Sequence, residues 1–172
     1  RMPTFSMTNA ERGALVAYLS AQRKGPPQLA MWASKVPKPQ YDNAEQVNLG
    51  KELFRTEYGC LGCHRMDDEG GVLGPDLTHL GSRLRPAWVV EYLLSPAAFS
   101  PRGMMPELFV REAKSGNPMS RKAGRDGLAD LSAVVAYLFH KSGPATQEPL
   151  QTPDAVQVKK GGALFAALNC AA

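Results

Sequence analysis

Cys60-Leu61-Gly62-Cys63-His64 constrains this chain more than any other stretch. Two thiols three residues apart, followed at once by an imidazole, read as a covalent c-type haem attachment site. The thiols span one side of a porphyrin and bond its vinyl groups, and the next residue falls beneath the iron. Other uses of these residue types fit less well. A four-cysteine zinc site needs a second pair of ligands, and the remaining cysteine, Cys170, stands alone near the end. A Cys₂His₂ finger needs two more histidines at short spacing, whereas His79 and His140 lie far apart. A thioredoxin-like pair belongs beside a βαβ pattern, and no such alternation is visible. A disulfide between Cys60 and Cys63 would be strained.

The 172 residues suffice for one ordinary domain or for one and a half small ones. An apolar fraction of 44% with 21% charged residues is that of a globular chain. The net charge of +4, without a dense Lys/Arg run, argues against a nucleic-acid binder. No stretch reaches the ~18 consecutive apolar residues of a membrane-crossing helix. The opening Arg1-Met2-Pro3-Thr4 lacks the charged-then-apolar layout of an export signal. A haem protein of this kind needs export to a periplasmic or otherwise extracytoplasmic bacterial compartment. The true N-terminus is therefore expected upstream.

Two internal echoes point to a tandem arrangement. Gly50-Lys51, Leu53-Phe54 and Cys60 are matched by Gly161-Gly162, Leu164-Phe165 and Cys170, and Cys-His after Ala172 would complete another haem site. Met2-Pro3 with Val16-Ala17-Tyr18-Leu19 is matched by Met105-Pro106 with Val135-Ala136-Tyr137-Leu138. The expected organisation follows. Residues 1–24 close a preceding unit, 25–40 form a Pro-rich linker, and 41–142 make one complete unit. Residues 143–154 form a second Pro-rich linker, and 155–172 open a further unit. Such linkers are semi-rigid, rising about 3 Å per residue where polyproline-like. Met31-Trp32 is an apolar exception in the first linker and is expected to pack onto a neighbouring unit.

The elements read as helices. Thr8-Asn9-Ala10-Glu11 is a capping-box signature for a helix over 9–22. Asp42 or Asn43 caps a second over 43–55, and a glycine-rich loop follows over 69–81. Pro86 suits a first helical position and opens a helix through Leu94. Residues 96–126 read as loop. A long helix from about 126 to 141 carries a buried stripe of Leu128, Leu131, Val134, Val135 and Leu138 and ends at Gly143-Pro144. Asp154 caps a last helix over 155–168. Period-two alternation is short everywhere, so strands are few.

Taken in order, these pieces resemble the class I cytochrome c family. The matching pieces are a helix ending in Leu53-Phe54, the Cys60–His64 motif, Gly74-Pro75-Asp76-Leu77, a helix bearing Trp88, Met105-Pro106, and a closing helix with Tyr137-Leu138. The resemblance implies an all-α fold, a small helical domain wrapped around a haem and flanked here by partial domains. It implies haem c and its iron, bonded to Cys60 and Cys63, with His64 as proximal and Met105 as distal ligand. Met104, Met66 and Met119 are the competing sulfurs. Pro75 resembles the loop proline whose carbonyl accepts from the ligating imidazole. Trp88, Arg83 and Arg85 fall where the family places groups near the haem propionates. His79 and His140 read as surface or packing residues.

The function implied is electron transfer by a module of a multi-haem cytochrome, a carrier rather than a catalyst by itself. Its partners would be redox proteins or adjacent haem domains, with no nucleic acid and no membrane span. The alternative is the haem domain of a larger oxidoreductase, dihaem peroxidase-like or a haem-tailed dehydrogenase. Arg111, Lys114, Arg121, Lys122 and Arg125 form a solvated loop or a docking face for an acidic partner, where charge mainly raises association rate.

Overall fold

The computed structural model describes residues 5–22, 31–109, 127–143 and 154–170. They belong to two units: Gly25–Gln147, and the two ends together, Arg1–Lys24 with Glu148–Ala172. The first helix, α1 (Asn9–Ala21), starts at the expected capping box: Thr8 accepts from the Glu11 amide while the Glu11 carboxylate accepts from the Thr8 amide at 2.8 Å.

In the middle unit, Asn43 caps α2 (Ala44–Glu52) by accepting from the Gln46 amide at 2.9 Å. The helix was expected to run to residue 55. Instead it widens at Leu53–Glu57 into a π turn, closed by the Tyr58 amide on the Leu53 carbonyl at 2.9 Å. The extra residue in that turn lets Leu53 and Phe54, 1% and 2% exposed, both face the core. Gly59 then takes a left-handed conformation, φ 59°, and Cys60–Gly62 make a 3₁₀ turn.

Residues 69–81 are less loop-like than their glycines suggested. β1 (Arg65–Met66) pairs antiparallel with β2 (Glu69–Gly70), Arg65 opposite Gly70. Asp67 and Asp68, with φ 49° and 58°, form the tight turn between them, as aspartate at such positions permits. A short helix α3 (Leu80–Arg83) follows. Pro86 sits in the first turn of α4 (Pro86–Leu94), and a four-residue helix α5 (Pro96–Phe99) interrupts what was read as loop. Residues 110–126, with Met119 and the basic cluster from Arg111 to Arg125, lie outside the described residues.

The long helix α6 (Gly127–Ser142) is the unit's axis. It was expected to bury one stripe, but every residue from Asp130 to Phe139 is buried, because α2, α3 and α4 all pack on it. The crossing of α2 over α6 is centred on Gly50. A Cβ there would come within 1.9 Å of the Ala133 carbonyl oxygen and 2.9 Å of the Tyr137 Cβ. The absent side chain lets the two backbones touch, and it brings the Phe54 and Tyr137 rings to 5.6 Å at 51°, a tilted geometry worth about 0.5–1.5 kcal/mol beyond area burial. Ala33, Val36 and Tyr41 pack on this same core, so the described part of the Pro-rich stretch belongs to the middle unit. Met31 is 52% exposed, and Lys35 sits over the Trp32 ring at 4.6 Å.

The last helix, α7 (Ala155–Ala167), is capped by Asp154, whose carboxylate accepts from the Val156 and Gln157 amides. Within the terminal unit it packs on α1. No described helix is long and apolar enough to cross a membrane.

Replacing Gly by Ala in an open helix stabilises it by about 1 kcal/mol, but at a closed crossing the added methyl overpacks at a cost of about 1–3 kcal/mol. Gly50→Ala is accordingly expected to lower the denaturation midpoint of the middle unit without changing the slope.

Candidate haem-binding site

The site starts from the chain's exit out of α2. The Tyr58 ring meets that of Phe109 at 4.6 Å and 47°, a tilted contact, and its hydroxyl donates to Asp130 Oδ2 at 3.0 Å. The segment leading into Cys60 is thereby tied to the first turn of α6. Both expected thiols are free; Cys60 is half-buried and Cys63 exposed. Burial pushes the Cys60 thiol up to about 12, so it is neutral at physiological pH. The His64 amide donates to the Cys60 carbonyl at 2.9 Å, which closes one bonded turn over the motif.

The loop that follows is laced to this segment. The amides of Gly71, Gly74 and Leu77 donate to the carbonyls of Leu61, Cys63 and Arg65 at 2.8, 2.7 and 2.8 Å. Lacing leaves no room for a side chain at Gly74, where a Cβ would lie 2.6 Å from the imidazole Nδ1 and Cε1. His64 Nδ1 meets the Pro75 carbonyl oxygen at 2.9 Å. A carbonyl only accepts, so Nδ1 carries the proton and Nε2 keeps its lone pair. The geometry thus yields an oriented imidazole with a nitrogen ready to ligate a metal.

Two ion pairs hold the β1–β2 hairpin below the site: Arg55 to Glu69 and Lys141 to Asp67, both at 2.6 Å. Hydrogen bonding to Asp67 raises the Lys141 pKa, and hydrogen bonding to Glu69 raises that of Arg55. These pairs and the Gly74 contact had no signature in the sequence, because each depends on residues brought together by folding.

The remaining candidates divide. Met105 is half-buried against the core, whereas Met104 is 82% exposed and Met66 is buried in the core at 3%. Trp88 packs on the core, stacks on Tyr92 at 4.9 Å and meets Phe99 edge-on at 5.6 Å. Arg83 is exposed at the end of α3. His79 is exposed at the start of α3, and exposed His140 donates from Nδ1 to the Tyr41 carbonyl at 2.8 Å, a packing role. Val72 and Leu73, between the thiols and Pro75, are 83% and 71% exposed. They leave an apolar edge in the loop after the thiols, which fits an apolar macrocycle attached there.

The cytochrome c family model matches residues 47–141, more than half of the chain, and the chain belongs to the cytochrome c family. No curated protein and no solved structure gives a match. Family membership carries with it a covalently bound, iron-containing haem c and electron transfer with redox partners.

Gly74→Ala is expected to push the imidazole off Pro75. The slowly exchanging Nδ1 proton of His64 should disappear from the proton NMR spectrum of the variant; its persistence would show that the loop yields instead.

Proposed function

We propose that this chain is an electron-transfer module of a multi-haem cytochrome, working in an extracytoplasmic compartment through a His/Met-ligated c-type haem in its middle unit. The reading rests first on the His64–Pro75 hydrogen bond, which fixes the tautomer and leaves Nε2 as the donor atom. Cys60 and Cys63 would hold the group covalently, with His64 as its proximal ligand and Met105 as its distal one. Met105 is supported by its packing on the core, in contrast to solvent-exposed Met104. When bound, the haem supplies a reversible one-electron couple, and a thioether ligand opposite an imidazole raises its potential.

The chain's own residues do the rest. Pro75 orients the imidazole and raises its basicity. Gly74 lets the loop approach it. Leu73 and Val72 exclude water from the apolar face. Trp88 and Arg83 are the proposed donors toward the propionates, because a buried carboxylate needs a hydrogen-bond donor or cation. With His64 and Met105 as its protein ligands, the haem would exchange electrons without binding a substrate at the metal. A tandem arrangement is supported by the echo of Gly50, Leu53-Phe54 and Cys60 in Gly161, Leu164-Phe165 and Cys170. If Cys-His follows Ala172, Cys170 would begin a second attachment site. The electrons would then pass to adjacent haem domains of the same chain as well as to separate redox proteins.

A pyridine haemochrome spectrum should show a c-type haem; no such signal overturns the reading. Met105→Ala should abolish the sulfur-to-iron absorption near the red end of the oxidised spectrum and lower the potential. An unchanged band would move the distal ligand elsewhere.

A further inference from the structure

The terminal unit repeats the joint that builds the middle unit. A constant offset of 111 residues relates Asn43 to Asp154, Gln46 to Gln157, Val47 to Val158, Gly50 to Gly161, and Leu53-Phe54 to Leu164-Phe165. Asn43 and Asp154 are the N-caps, and each accepts from the amide of its glutamine. A second offset, of 119 residues, relates Ala14 to Ala133 and Val16-Ala17-Tyr18-Leu19 to Val135-Ala136-Tyr137-Leu138. These two registers meet in space. A Cβ on Gly161 would lie 2.0 Å from the Ala14 carbonyl oxygen and 2.6 Å from the Tyr18 Cβ, as one on Gly50 would lie against Ala133 and Tyr137. Tyr18 and Phe165 rings sit 5.4 Å apart at 45°, beside 5.6 Å and 51° for Tyr137 and Phe54. The exit from the helix matches too: Asn169 before Cys170 has φ 55°, and Gly59 before Cys60 has φ 59°.

We propose that α1 is a closing helix and α7 an opening helix of cytochrome c-type units, mated with each other here through Gly161 by the same glycine-centred crossing, with the closing helix first along the chain. The proposal rests on the tandem reading and deepens it by naming the surfaces that fit: Ala14 and Tyr18 on the closing helix, and Gly161 and Phe165 on the opening one. Val16 and Leu19 are 62% and 52% exposed, whereas their counterparts Val135 and Leu138 are 0% and 3% exposed. That face of α1 is the one the body of a cytochrome unit covers in the middle domain.

Amide hydrogen exchange of the full-length, haem-loaded chain tests this. Gly161→Ala should lower protection of residues 9–21 and 155–167 together, by about tenfold, with residues 44–57 and 127–142 and the haem spectrum unchanged. Alanine in an uncrossed helix would act oppositely, raising protection of α7 by about fivefold and leaving α1 alone. Gly13→Ala, where nothing lies within 4 Å, should raise protection of both helices. A rise with Gly161→Ala, a change confined to α7, or no protection of either helix in the parent overturns the proposal. The readout needs no second haem, so it fails independently of the haem count.

Discussion

The segment that carries the two thiols is held in place by the approach of two backbones at Gly50. Because α2 presents no side chain to the Ala133 carbonyl, the helices meet at a separation that any Cβ would forbid. From that contact outward the constraints accumulate. Phe54 reaches the Tyr137 ring, the π turn directs Leu53 and Phe54 together into the core, and Tyr58 joins Phe109 and Asp130. Full burial of side chains such as Leu53 and Phe54 contributes about 1.5–3 kcal/mol each. The thiols therefore leave a segment fixed at several points against α6, and a ligand set needs that kind of support to hold its geometry.

The imidazole is fixed by a different device. Its orientation comes from backbone lacing and one hydrogen bond to a carbonyl, with no charged partner. A carboxylate on Nδ1 would make the imidazole more anionic in character and favour the oxidised metal, whereas a neutral carbonyl settles the tautomer with a smaller electronic effect. That choice would agree with the proposed thioether ligand, which also favours the reduced state. The two proposed axial groups thus push the couple in one direction. The ion pairs below the site, Arg55–Glu69 and Lys141–Asp67, are exposed and screened by salt, so they set the hairpin's place more than the metal's electronics.

The helices were legible where local chemistry announces itself. Thr8 with Glu11, Asn43, Pro86, Asp154 and Gly143 mark ends that the structure keeps to within a residue or two. The Cys60–His64 motif was legible because attachment chemistry demands that spacing. What escaped depends on tertiary contacts. A π turn differs from α-helix by one hydrogen bond, and its sequence Leu53–Glu57 has no marker. The two-residue strands are too short for a period, and Asp67-Asp68 was not recognised as a turn. The all-round burial of α6 was hidden because Ser132, Ala133 and Ala136 read as a polar or neutral face. Their small size lets neighbours pack close, and Gln46 Nε2 donates to the Ser132 hydroxyl at 3.1 Å.

The π turn also bears on the one mismatch between the two joints. Phe54 precedes Cys60 by six residues, and Phe165 precedes Cys170 by five. A π turn holds one residue more than an α turn over the same rise. In α7 the Leu168 amide meets the Leu164 carbonyl at 2.9 Å, an i to i+4 bond, and the wide i to i+5 bond comes one residue later, from the Cys170 amide to the Phe165 carbonyl at 3.2 Å. The left-handed residue and the cysteine emerge in the same order in both. The two units differ more in support than in design. Two 13-residue helices are near the length at which isolated helices are marginal, and Ala14 and Gly161 are their only buried residues. Among the described residues, the caps and the glycine-centred crossing therefore carry the terminal pair, whereas in the middle unit the same crossing is reinforced by the elements packed on α6.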